Sequence, residues 1–460
     1  MLGSGCCLER IWRPAGLLLL AGGVAILFAN PCAAAERELE QAPPPSSAEE
    51  IKTPLQRLLF REAYKEPLFP WFRKQLQKLP PFFADTHLEA RFRTYYLRKD
   101  RPIDVLSLSE AWAIGGSLYY RSGWLKDVFA IEAEGFTSQP LVAPDDRGGT
   151  LLLAPVQEGY SVLGLANAKL RYKGIVLTGY RQYLDLPYIN RNDSRMTPQT
   201  FEALTLAKPE GRLRFSAGYI WKIKFRVADE FVDMGEAVGV PKDRGVAYAS
   251  VLWQPNEEFH VGLSVGVLPD ILAGGYAEAA YGFSFGDGSS LRLDGQFTYQ
   301  RAEEILPGGA SDTWNLGLRG STSWRGLVGR LGFSITGDDR RILSPYGSNP
   351  SYVDLMQRSF TQAGEKALLV SLTYDFSQVG VSGLSAIVNF VQGWDGRVPV
   401  LGVRRDAREV DVTVDYKLPK ELGLYEGLWL RLRGSWLRDD AFDRDGTDFR
   451  AILRYDFPVL

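Results

Sequence analysis

The side chains best suited to chemistry in this chain are basic, and many recur at alternate positions. Arg212 and Arg214 precede Lys222, Lys224 and Arg226; Arg292, Arg319, Arg330, Arg431, Arg433, Arg450 and Arg454 follow, and Arg93 stands near the start of the pattern. A guanidinium is a planar fork that grips a carboxylate in two places, so a row of them suits the handling of small anions. Acids on the same faces are fewer in this reading: Glu132, Glu134, Asp294, Asp411 and Asp415. Two charges 4 Å apart interact by about 4 kcal/mol at an effective dielectric near 20, and low-dielectric walls would focus that field. Enzymatic chemistry has little to build on. There are only two histidines, His87 and His260, and no marked Ser-His pair, P-loop lysine or metal-ligand spacing. The expectation is no enzyme, no metal and no cofactor.

The elements that must hold these cations read as strands. Leu291, Leu293, Gly295, Phe297 and Tyr299 are interleaved with Arg292, Asp294, Gln296, Thr298 and Gln300. Leu213, Phe215, Ala217, Tyr219, Trp221, Ile223 and Phe225 follow the same rule against the basic residues around them, and so do Trp314–Leu318 and Leu428–Trp436. Successive side chains of a strand point to opposite faces, so each segment has one greasy and one charged face. Charges on the polar face and aromatics near segment ends predict strands with lipid outside and water inside. Mean hydropathy is −0.14, as expected when half of each strand is polar, and Gly (47 residues) and aromatics (12%) suit tight turns and interfacial girdles. The net charge of −2 argues against a nucleic-acid partner.

The ends differ from the middle. Arg10 and Arg13, the apolar run Ala15–Ala29 and the small residues Ala33–Ala35 read as a secretory signal over residues 1–35, with an apolar core too short to span a bilayer. All three cysteines (Cys6, Cys7, Cys32) fall inside it, so a processed chain carries no thiol. Residues 36–82 read as a Pro/Ser/Glu-rich linker followed by a basic helical extension on the periplasmic side, with Leu55, Leu58, Leu59, Phe69, Phe72, Leu76 and Leu79 at helical spacing. Residues 83–460 read as the barrel, with room for roughly 16 to 18 strands. Gly286-Asp287-Gly288 and Pro255-Asn256-Glu257 read as short periplasmic turns. Ala143–Glu158, Glu303–Asp312, Asp338–Gly364 and Asp395–Arg408 read as long extracellular loops.

Several segments resemble the OprD family of outer-membrane substrate-specific porins. They are the opening strand His87–Asp100, the string Asn192–Glu202 (Asp-Ser-Arg-Met-Thr-Pro-Gln-Thr-Phe-Glu from Asp193), Phe360–Phe376, Leu428–Arg433 and the Arg-Tyr-Asp-Phe-Pro ending. The resemblance implies an all-β fold: a transmembrane antiparallel β-barrel of 18 strands in the bacterial outer membrane, with a short N-terminal helical extension. It implies a monomer, with a weak trimer as the alternative, narrowed by inward-folded loops and lined by a basic ladder for passive uptake of carboxylate-bearing solutes. The ladder would include Arg93, Arg214, Arg292, Arg319, Arg431 and Arg433. Asn190–Glu202 would enter the lumen, with Arg195 touching substrate and Asp193, Ser194 and Tyr188 shaping the eyelet. The competing reading is a surface loop whose Asp-Ser pair caps a turn. Tyr352 and Asp354, in another long loop, could offer an acidic contact that selects an amino group. Expected partners are small organic anions or amino acids, outer-membrane lipid and lipopolysaccharide, and the barrel assembly machinery. The alternatives are a barrel selective for basic amino acids or small peptides, and a non-conducting structural or adhesive barrel.

Overall fold

The structure, a computed structural model, describes residues 67–101, 108–241, 243–398, 403–418, 427–442 and 445–460. The expected signal segment and the linker up to residue 66 lie outside the described residues.

Eighteen long strands form one antiparallel sheet that closes on itself. They are β1 (His87–Asp100), β2 (Leu108–Arg121), β3 (Phe129–Val142), β4 (Tyr160–Tyr172), β5 (Ile175–Gln182), β6 (Thr200–Lys208), β7 (Leu213–Lys224), β8 (Val246–Trp253) and β9 (Phe259–Leu268). Then come β10 (Leu272–Ser284), β11 (Ser290–Ala302), β12 (Ser311–Trp324), β13 (Leu327–Thr336), β14 (Lys366–Asp375), β15 (Leu384–Val398), β16 (Val403–Lys417), β17 (Trp429–Asp439) and β18 (Gly446–Pro458). Each pairs with its sequence neighbour, and β18 returns to β1 with Arg454 opposite Arg93 and Arg450 opposite Leu97. Closure leaves no unpaired edge, which a sheet surrounded by hydrocarbon cannot tolerate.

The two faces are the inverse of a soluble protein. Phe297 and Tyr299 are 43% and 42% exposed, next to exposed Leu316 and Trp314 across the ladder, while Asp294, Gln296, Thr298 and Gln300 on the same strand are buried. Connections at one end are short. Asn256 Oδ1 accepts from the Phe259 amide at 2.8 Å, and Asp287 Oδ1 accepts from the Ser289 amide at 2.9 Å; each closes a tight turn. Connections at the other end include residues 143–159, 183–199, 225–245 and 337–365. Short turns mark the periplasmic side and long loops the extracellular side.

Among the described residues, simple pairing is interrupted by register shifts at four places, between β2 and β3, β3 and β4, β6 and β7, and β15 and β16, and two of them overturn an expectation. On β7 the pairing shifts between Glu202 and Ala203, which face Lys222 and Ile220, so Trp221 is an extra residue. A bulge of this kind flips the side chains beyond it. Ile223, expected on the lipid face, is therefore fully buried beside Ile220, Phe201 and Ala203 in an apolar cluster inside the barrel. The second is Asp395–Arg408, expected as a loop. It is mostly strand: β15 and β16 run on through a register shift between Gly393 and Gly396, and Asp395 takes a positive φ of 62°.

The N-terminal extension shows two short helices, α1 (Pro70–Leu76) and α2 (Pro81–Ala84). The first ends at Leu76, and Pro81 opens the second at the first helical position, where a missing amide hydrogen costs nothing.

Candidate constriction and lumen

Two loops descend into the barrel. The first, residues 183–199, begins with a two-residue hairpin pairing Asp185–Leu186 with Ile189–Asn190, turned by Pro187 and by Tyr188 at φ 62°. Arg191 locks it by donating from Nε to both oxygens of Asp185 at 3.1 and 2.9 Å. The chain then loops through Asn192–Pro198, and the Gln199 amide donates to the Arg191 carbonyl at 2.6 Å to close it. Its apolar residues Leu184, Leu186 and Ile189 pack on inward wall side chains Ile220, Val246 and Leu268. The second loop, residues 337–365, meets the first at Asn190. The Asn190 amide donates to Tyr346 O at 3.1 Å, its Nδ2 donates to Ser348 O at 3.2 Å, and its Oδ1 accepts from the Ser348 amide at 2.9 Å.

The second loop is also sewn to the far wall. Met356 and Gln357 amides donate to Asp411 and Glu409 at 3.0 and 2.8 Å. Arg358 donates to Asp439 at 2.6 Å and to Glu365 at 2.5 Å. Each of these carboxyl groups meets a backbone amide or a guanidinium, which offsets part of the cost of its burial.

The expected eyelet residues fall as follows. Asp193 accepts two bonds from Arg93, at 2.7 and 3.0 Å, so the loop tip is held to β1 by a bidentate ion pair. Arg93 also donates to the Arg195 carbonyl. The Ser194 hydroxyl donates to Asn192 Oδ1 at 2.9 Å and accepts from Arg226. The Arg195 guanidinium donates to two neutral acceptors, Thr150 O at 3.1 Å and Ser194 O at 2.7 Å. Arg93, Arg195 and Arg433 line one cleft with Asp193, Tyr95, Ser194, Trp429 and Ile452. Tyr188 lies elsewhere, against β10 and β11. Its hydroxyl shares a 2.8 Å hydrogen bond with Thr298, and its ring stands edge-on to Tyr276 at 6.3 Å. Burial pushes the Tyr188 phenol above its ordinary range, and the charge on Asp354 adds to the effect. Asp354 thus acts electrostatically on Tyr188, away from the Arg93–Arg195–Arg433 cleft, whereas Tyr352 is buried with the Arg319 guanidinium 4.3 Å over its ring.

The expected ladder arginines divide into two kinds. Arg431, 0% exposed, clasps Asp415 at 2.7 and 3.0 Å. Arg292 and Arg319 share Asp294 at 2.8 and 3.4 Å. Arg214 instead donates to the Gln254 amide oxygen at 2.6 Å, while Arg433 donates to the Thr413 hydroxyl at 3.2 Å and lies within electrostatic reach of Asp411. Sequence reasoning undercounted the interior acids, among them Glu89, Glu278, Asp448 and Asp456. The signal was present: Glu89 and Arg91, Asp448 and Arg450, and Arg454 and Asp456 stand two apart, share a face and pair. Sequence reasoning missed Tyr183, and it named Arg226 only among the alternating cations and Asn190 only as the start of the loop. Tyr183 donates to Glu134 at 2.9 Å, and burial followed by the Glu134 charge holds its phenol well above the usual range. His260 stands in a wall network, 3.2 Å from both Glu278 and Arg292.

A closed barrel with an apolar outer belt and two inward loops held by ion pairs defines an outer-membrane channel of the porin class. A family model described as outer membrane porin, OprD family, matches residues 80–459, and the chain belongs to that family. It is an outer-membrane porin. No curated protein matches it. Among solved structures it is similar to OccK9 (OpdG) of Pseudomonas aeruginosa, at 27% identity and a TM-score of 0.76 over 82% of this chain and 100% of that one. It is similar to a BenF-like porin of Pseudomonas fluorescens Pf-5, at 20% identity and a TM-score of 0.76 over 82% and 100%. The barrel also resembles OpdK of Pseudomonas aeruginosa, solved with vanillate, at 24% identity and a TM-score of 0.73 over 82% and 100%.

Proposed function

We propose that this porin is a passive, selective channel for small carboxylate-bearing solutes, exported by the 1–35 signal and working as a monomer. The observation that carries the reading is the cleft where Arg93, Arg195 and Arg433 converge around a single carboxylate, Asp193. Three guanidiniums face one acid along this lining, with Asp411, Asp448 and Asp456 acting on them from the wall, and low-dielectric surroundings strengthen the charge that remains. Arg195, whose guanidinium donates to Thr150 O and Ser194 O, is placed to offer its fork to a passing carboxylate. Arg214 and Arg433 extend the path, while Arg431, Arg292 and Arg319 serve the wall through Asp415 and Asp294. OpdK with its bound vanillate, an aromatic carboxylate, lends further support.

A second reading, uptake of basic amino acids, draws on Asp354, whose charge acts at Tyr188 on the β10–β11 side of the lumen. Planar-bilayer recordings under a salt gradient separate the two. The carboxylate reading requires a reversal potential of anion-selective sign and block of current by benzoate. Block by arginine but not benzoate sinks it in favour of the second reading, and silent membranes indicate a non-conducting barrel. Uptake by a porin-deficient strain, screened over carboxylates, then names the cargo.

A further inference from the structure

The Pro67–Ala84 arm is pinned to the periplasmic rim of the barrel. Leu68 and Phe69 amides donate to Pro458 and Val459 carbonyls at 3.0 and 3.3 Å, which holds the arm against the end of β18. The Gly123 amide, in the short β2–β3 turn, donates to Phe82 O at 2.9 Å, and Phe82 stacks on Phe129 at 6.5 Å. A Cβ on Gly123 would stand 2.0 Å from Pro81 O, so the close seating needs glycine there. Arg73 donates to Thr86 O and ties α1 to α2.

This fixed arm turns its apolar side chains outward. Leu68, Phe69, Trp71, Phe72, Leu79 and Phe83 are all exposed, Trp71 at 66%. Between Pro67 and Ala84 the only charges are Arg73, Lys74 and Lys78, all positive. The neighbouring stretch of β18 presents Tyr455 and Phe457, ring to ring at 5.5 Å, on its lipid side, opposite in sense to lumen-facing Arg454 and Asp456. The apolar surface of the arm is thus continuous with the aromatic belt at the periplasmic end of the barrel.

We propose that the arm is an interfacial anchor: its aromatic residues enter the inner phospholipid leaflet, and Lys74 and Lys78 rest on headgroup phosphates. Aromatic side chains favour this depth, and lysines beside an apolar face favour anionic lipid. Continuity with the lipid-facing belt selects a bilayer over a protein partner, and the uniform positive charge complements phosphate.

The test uses the full mature chain in vesicles of phosphatidylethanolamine and phosphatidylglycerol, with a nitroxide at Trp71→Cys and, in a second protein, at Leu79→Cys. Heat-modifiable gel mobility confirms that each barrel is folded. Collisions with oxygen should exceed those with a water-soluble nickel chelate, placing the label within about 10 Å of the phosphate plane. Lys74→Glu with Lys78→Glu should raise nickel collisions at least about threefold and abolish any difference between these vesicles and phosphatidylcholine. Labels as open to nickel as free solution overturn the proposal. So do labels shielded from both reagents, since residues 51–66 or a second copy would then cover the face. An unchanged profile in the double glutamate variant removes the phosphate contact and overturns it as well.

Discussion

Phe297→Lys tests the two-sided wall, on which the channel depends. Phe297 is the eighth residue of the 13-residue strand β11 and faces lipid between Ala277 and Leu316. A strand rises about 3.4 Å per residue, and at a tilt near 40° it gains about 2.6 Å of depth per residue. The 12 steps of β11 then span about 31 Å, and Phe297 sits within about 3 Å of the midpoint of an apolar band about 25 Å tall. A lysine there should cost about 2–4 kcal/mol. Leu291, by the same arithmetic about 13 Å from the midpoint, lies at the band edge, where a lysine costs about 0–1 kcal/mol. The assay is equilibrium folding into vesicles across a urea series, read by tryptophan emission and gel mobility. Equal midpoints for Phe297→Lys and the parent, or a larger loss for Leu291→Lys, would refute both the face assignment and the depth.

Four further outcomes follow from the interior. Arg195→Ala should raise single-channel conductance and move the anion-to-cation permeability ratio toward unity; an unchanged reversal potential removes Arg195 from the constriction. Arg431→Met should cost about 3–5 kcal/mol by stranding Asp415, while Arg431→Met with Asp415→Leu should recover most of that loss in the same folding assay. Asn190→Ala deletes the side-chain clamp to Ser348 and should cost about 1–3 kcal/mol, seen as faster hydrogen exchange at residues 343–348 and noisier open-channel current. The Tyr188 phenol titrates above its free value of 10.0, so the folded state holds that proton more tightly and its advantage fades as pH climbs past about 10. Tyr188→Phe should shrink the alkaline loss of stability by that residue's share, leaving the share of Tyr183 and behaviour near pH 7 intact.

The sequence by itself determined the wall. A period of two is local, and each strand must turn its apolar side to hydrocarbon, so Leu293, Phe297 and Tyr299 could be assigned outward from their spacing. The turns were legible for the same reason, since Asn256 and Asp287 shape their hairpins within three residues. The loop string Asp193–Glu202 pointed to the lumen through its family likeness, not through any local pattern. Only the tertiary structure decided which cations keep their field. Asp193 reaches Arg93 across 100 positions of sequence, and Asn190 reaches Ser348 across 158. One bulge opposite Glu202 sent Ile223 inward against its period. Charge pairing across a lumen depends on where loops travel and how strands register. Neither is encoded in the spacing of neighbours, so the conduit is more nearly neutral along its wall, and its cations converge on a narrower cleft, than the row of arginines suggests.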